Sequence, residues 1–147
     1  AILMPILLGC MAKSSAGNPL PESQYVELNK GEYTQNGIST KKQTKVISSQ
    51  TDYALELAAY TNATPASVDF TNGRVLLVDM GGRNTGGHSI GVTSVEVTDH
   101  WVVANIRLVK PGAGCIVTQA LTNPFQFVFI PSLKEILVSE RVEVINC

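Results

Sequence analysis

Two histidines, three cysteines and one glycine-rich octapeptide are the residues of this chain with the widest chemical reach. Neither His88 nor His100 stands at metal-ligand spacing from a second His or Cys, so no metal site is expected. A nucleophilic pair of Cys115 and His88 would need a base placed to activate the thiol, and no local motif sets one up. Asp52, Asp69, Asp79 and Asp99 are scattered singly and offer no paired carboxylates for acid–base work. The expectation is a non-enzymatic chain without a cofactor. A thiol hydrolase built on Cys115 is the enzymatic alternative.

The octapeptide Gly81-Gly82-Arg83-Asn84-Thr85-Gly86-Gly87-His88 lies between two strand-like runs. It lacks the Gly-Lys-Ser/Thr ending of a phosphate loop, which argues against nucleotide binding. Two readings remain. One is a tight connection whose glycines take positive φ. The other is a preformed recognition loop on a rigid β scaffold, contacting a partner through Arg83, Asn84, Thr85, Gly86, Gly87 and His88, with Arg83 and His88 reaching outward. Lys110 to Gly114 and Thr122 to Phe125 form two further turns. In a sandwich, alternate loops collect at one end, so these turns can share one surface with the octapeptide.

The elements that would hold these loops are mostly strands. Short strand-like runs are read at Tyr25 to Leu28, Glu32 to Thr34 and Thr44 to Ser48, with Asn36-Gly37 as a hairpin turn. Asp52 to Tyr60 predicts the one helix, capped by Ser49 or Thr51, with Tyr53, Leu57 and Tyr60 on one face. Arg74 to Met80 contains Val-Leu-Leu-Val, a buried strand. Ile90 and Val92 alternate in one phase and Val95 and Val97 in the opposite one, which predicts a bulge or sharp bend near Thr93-Ser94. Val102, Ala104, Ile106 and Leu108 alternate with Val103, Asn105 and Arg107, the pattern of a strand with one wet face. Ile116 to Leu121, Phe125 to Ile130 and Val142 to Ile145 continue the theme. Phe125, Phe127 and Phe129 put at least one face of their strand in the core. The fold class is mainly β: an antiparallel sandwich, immunoglobulin-like in the closest analogy, or a partly open barrel, with one short helix.

The chain has 147 residues, 44% hydrophobic and 16% charged, which is too apolar for disorder and sized for one domain. The net charge is -1. Lys41, Lys42 and Lys45 form the only basic knot, too small to track a phosphate backbone, so nucleic acid is not an expected partner.

Residues 1–10 form an apolar run too short to span a bilayer, read as the tail of a secretory h-region. Leu7-Leu8-Gly9-Cys10 resembles the lipobox of bacterial lipoproteins. The resemblance implies lipidation at Cys10 and a tether through residue 21; length and strand pattern then give a single β-rich domain over 22–147. The lipobox resemblance also implies a bacterial cell envelope location, with the membrane touched only through the lipid anchor. An exported chain favours a disulfide between Cys115 and Cys147; two free thiols are the alternative.

Gly82-Arg83-Asn84-Thr85-Gly86-Gly87-His88-Ser89-Ile90, then Pro111, then Val117-Thr118-Gln119-Ala120-Leu121-Thr122-Asn123-Pro124 and Ile130-Pro131, resemble the PrcB family of bacterial protease-complex subunits. The resemblance covers about Val68 to Pro131. Asn84 stands where that family usually has Pro, and His88 where it usually has Tyr. The loop is also similar, at Thr85, Gly86 or Gly87 and the ring of His88, to the binding loop of chagasin-type inhibitors of cysteine proteases. The first resemblance implies a protein-binding domain associated with a secreted protease. The second implies an inhibitor that occludes a protease cleft. A structural envelope role is a third reading.

Overall fold

The computed structural model describes residues 19–20, 24–37 and 39–147. Cys10 and the apolar run around it lie outside the described residues. Among the described residues, eight strands form two four-stranded sheets. In chain order the strands are β1 (Pro19–Leu20), β2 (Val26–Gly31), β3 (Gln43–Ile47), β4 (Arg74–Asp79), β5 (Ser89–Val97), β6 (Trp101–Pro111), β7 (Phe125–Ile130) and β8 (Glu135–Ile145); helix α1 (Gln50–Ala58) follows β3. One sheet has the order β1-β5-β6-β8 and the other β2-β7-β4-β3. The described residues therefore form a β-sandwich with one α-helix. Its described strand pairs are antiparallel except β6 with β8, which is parallel.

The core has two compartments because β4 and β7 are covered on both faces. Between the sheets lie Leu76, Val78, Val128 and Ile130 against Ile90, Val95, Ala104, Ile106 and Leu108. On the outer side of β4 and β7, Val75, Leu77, Phe125 and Phe127 pack under the helix residues Tyr53 and Leu57 and against Tyr60. An unbroken Val-Leu-Leu-Val run suits a strand enclosed on two sides, since every side chain then leaves water. Full burial of each such side chain stabilises by about 1.5–3 kcal/mol.

Ser49 caps α1: its Oγ accepts the Asp52 N–H at 3.1 Å, satisfying a donor that the first turn otherwise leaves unpaired. The helix begins at Gln50, two residues before the expected start. Tyr53 and Leu57 occupy its buried face. In β5 the register with β6 slips between Val92 and Ser94, where the change of alternation places a bulge. The slip lets both Val92 and Val95 point inward.

Several expectations are corrected. Asn36-Gly37 is no hairpin turn. It lies in a short 3-10 turn, Gln35–Gly37, and the strands on either side are opposite edges of their sheet. Glu32 to Thr34 is not strand. Ile116 to Leu121 is not strand either; Ile116 and Leu121 point into solvent. Its alternation has no neighbouring strand to pair with. Pro19–Leu20, inside the stretch read as a tether, pair with β5.

Candidate functional site

Asp79 ends β4 and is fully enclosed, and it organises the loop that follows. Its Oδ1 accepts the Gly81 N–H at 2.7 Å and the Asn123 Nδ2 at 2.8 Å. Its Oδ2 accepts the Thr40 hydroxyl at 2.6 Å and the Tyr60 hydroxyl. Asn123 Oδ1 in turn accepts the Thr40 N–H at 2.8 Å. A buried carboxylate persists only when surrounded by donors. Here the donors come from the segment before β3, from Tyr60 two residues past α1, from the loop after β4 and from the turn before β7. One side chain thus ties four segments together at the root of the octapeptide.

The loop is clasped from both sides. Gly81 has φ +79°, and a Cβ there would lie 2.7 Å from the Lys42 backbone nitrogen; only glycine meets both conditions. The Gly82 N–H donates to Thr40 O at 3.0 Å. Arg83 and Thr122 exchange two backbone hydrogen bonds, 2.7 and 2.9 Å, as an isolated antiparallel bridge. The Gly86 N–H donates to Thr118 O at 2.9 Å. Gly87, φ +85°, lies against Val117 and Pro111. The Thr122 hydroxyl donates to Thr85 O at 2.8 Å. Residues 115–123, irregular in themselves, are the strap across the octapeptide.

Arg83 and His88 are both half-buried, and each bonds back onto its own loop. Arg83 Nη2 donates to Met80 O at 2.8 Å within its own loop. Its Nε is buried without a hydrogen-bond partner among the described residues. His88 Nδ1 lies 3.2 Å from Thr85 O; that bond puts the proton on Nδ1 and leaves Nε2 as the nitrogen the loop does not use. Asn84 and Gly87 are exposed, while Thr85 and Gly86 are half-buried. The three turns do gather at one end: Pro111 meets Gly87, and Thr122 pairs with Arg83.

Beside the clasp lies a cleft of about 200 Å³ whose lining includes Ser39, Arg83, Asn84, Tyr33 and Leu121. Tyr33 is 58% and Leu121 71% exposed. Neither was legible as a site residue, because a lone Tyr or Leu in a loop carries no spacing signature. Asp79 did leave a trace: a carboxylate directly after four apolar strand residues and just before two glycines.

Cys115 and Cys147 form a disulfide with Cα atoms 4.9 Å apart. Cys115 therefore holds no free thiol for a nucleophile. The bridge joins the end of β8 to the start of the strap. Among the described residues, no group of three or more His, Cys, Asp or Glu side chains converges, and no helix is long and apolar enough to cross a membrane. No curated protein and no solved structure matches the chain. Residues 74–131, from the first residue of β4 to just past β7, match a protein family described as PrcB C-terminal.

Proposed function

We propose, from the premise that residues 74–131 belong to the PrcB C-terminal family, that this chain is a non-enzymatic, exported protein-binding domain that associates with a secreted protease. The observation that carries the reading is the clasp. Both halves of the family pattern, 82–90 and 117–124, are spent on holding one loop rigid. A loop fixed in advance loses little entropy when it docks. The exposed Asn84, with Tyr33 and Leu121 lining the same cleft, offers a small contact that suits one protruding side chain of a partner. The family match supports association with a protease complex. The Cys115–Cys147 bridge supports an oxidising compartment. Lipidation at Cys10, a cell-envelope anchor and the absence of catalysis are parts of the same reading.

The test uses exposed residues, so that folding is spared. The chain is incubated with the secreted proteases of its own cells, and recovery of protease is compared between wild type, Asn84→Arg and Tyr33→Ala. The expected result is a tenfold or greater loss in both variants with unchanged melting temperature. Undiminished recovery in both removes the loop and cleft from the account. The gathering of three turns at one end also fits an inhibitor that fills a protease cleft. Dose-dependent loss of activity in the captured protease favours that second reading; unaltered activity favours a subunit.

A further inference from the structure

β8 is the last strand of its sheet. Its parallel register with β6 runs unbroken from Trp101 opposite Glu135 to Pro111 opposite Ile145. At the end of that ladder the Gly112 N–H donates to Ile145 O at 2.8 Å. In a β ladder a residue that turns its carbonyl to a neighbouring strand turns its N–H there too, and the next residue turns both the other way. The odd-numbered residues of β8 therefore bond to β6. The even-numbered ones, from Ile136 to Val144, present their N–H and C=O groups to the outside. Among the described residues no strand takes them.

The other three sheet edges are blunted, as edges in natural sheets usually are. β1 has two residues. β2 is irregular between Glu27 and Asn29 and carries Lys30 and Gly31. β3 has five residues with Lys45 at its centre. β8 has eleven residues and no Pro, Gly, Lys or bulge. It also exposes Val142 at 54% and Val144 at 56%.

The charge pattern of β8 is complementary to itself. If two copies pair antiparallel about a two-fold axis at Val142, Val142 faces its own image. Arg141 then stands opposite Glu143 of the second copy, and Glu143 opposite its Arg141. Residues directly opposite share a sheet face, and Arg141 and Glu143 already share the face turned away from the core. Arg141 makes no ion pair among the described residues. Axes at Glu140, Arg141 or Glu143 would set like charges face to face. An axis at Val138 pairs Glu135 with Arg141 but leaves Val144 outside the ladder.

We infer that β8 is the dimerisation edge of this protein: two copies join their sheets into one continuous eight-stranded sheet, in the register centred on Val142. The interface lies on β8 and uses none of the residues assigned to partner binding.

The experiment is mass in solution by light scattering over a wide range of protein concentration. Three variants accompany the wild type. Arg141→Glu sets carboxylates against each other across the axis. Val142→Pro removes an N–H that faces outward, where an edge strand tolerates proline. The double variant Arg141→Glu, Glu143→Arg restores opposite charges. The expected result is twice the chain mass for wild type and for the double variant, and the chain mass for the two single variants with native circular dichroism. If Val142→Pro fails to fold, Arg141→Glu and its rescue decide. A wild type that stays at the chain mass at every concentration overturns the inference, as does a dimer that survives Arg141→Glu.

Discussion

Asp79 accepts hydrogen bonds from Thr40, Tyr60, Gly81 and Asn123 with no exposure to solvent. Removing the carboxylate would strand the Tyr60, Gly81 and Asn123 donors in the interior, while the Thr40 hydroxyl keeps Asn123 Oδ1 as an acceptor at 2.8 Å. Each hydrogen bond to a charged group contributes about 1.5–3 kcal/mol, and a stranded donor costs about 1–3 kcal/mol. Asp79→Ala is therefore expected to destabilise by at least about 3 kcal/mol, measured by urea denaturation. Asp79→Asn keeps one acceptor and should lose less. The same cluster gives an alkaline signature. Burial, followed by the hydrogen bond and the negative charge of Asp79, raises the Tyr60 hydroxyl well above its ordinary value. Burial also raises Tyr53. In the unfolded chain both ionise near pH 10, while the folded protein keeps their protons. Their contribution is complete below about pH 10 and falls as pH rises beyond it, by about 1.4 kcal/mol per pH unit for each proton retained. Tyr60→Phe should show a shallower loss of stability between about pH 10 and 12 than wild type. An equal slope in the two proteins would take Tyr60 out of the alkaline transition.

At the scale of elements, the strap from Cys115 to Asn123 does structural work without regular structure of its own. It forms no regular strand, and Ile116 is fully exposed. What holds it is the disulfide at one end, the Arg83–Thr122 bridge at the other, and the Gly86–Thr118 bond between them. Cys115 and Cys147 are 32 residues apart in sequence. Closing a loop of that length removes about 3–4 kcal/mol of unfolded-state freedom. Cys147→Ser is expected to lower stability by up to that amount. It should also raise amide hydrogen exchange at Gly86 and Thr122, whose N–H groups donate across the strap, more than at the strand pairs of β4 and β7. Uniform exchange across all these sites would show that the bridge acts only on global stability. The octapeptide itself was legible as a glycine-rich loop. That Arg83 folds back onto Met80 O, and that residues 115–123 lie across it, was not. Those contacts join segments whose spacing in the chain carries no information about distance in the fold.

Across the whole molecule, β4 and β7 divide two cores, one under sheet β1-β5-β6-β8 and one under α1. Ile106 belongs to the first and Leu57 to the second. Ile106→Ala and Leu57→Ala should each destabilise by about 2–5 kcal/mol. As the two side chains sit on opposite sides of β4 and β7, their effects should add to within about 0.5 kcal/mol. A larger departure from additivity in guanidinium titrations would mean that the sheet transmits strain from one core to the other. The two-sided burial also explains why Phe125 and Phe127 pack toward the helix while Val128 and Ile130 pack toward the other sheet.

Side-chain direction along a strand or helix is a local property, and the sequence alone determined what depends on it. That includes the buried run at Val75 to Val78, the shared face of Tyr53 and Leu57, the wet and dry faces of β6, and the slip between Val92 and Ser94. Tertiary structure alone decided which strands meet. It put β6 beside β8 in parallel, separated the strands flanking Asn36-Gly37 to opposite edges, left Ile116 to Leu121 unpaired and drew four segments onto Asp79. Pairing of distant segments is chosen by the total surface buried and by satisfying every enclosed polar group at once, and no window of neighbouring residues contains that sum.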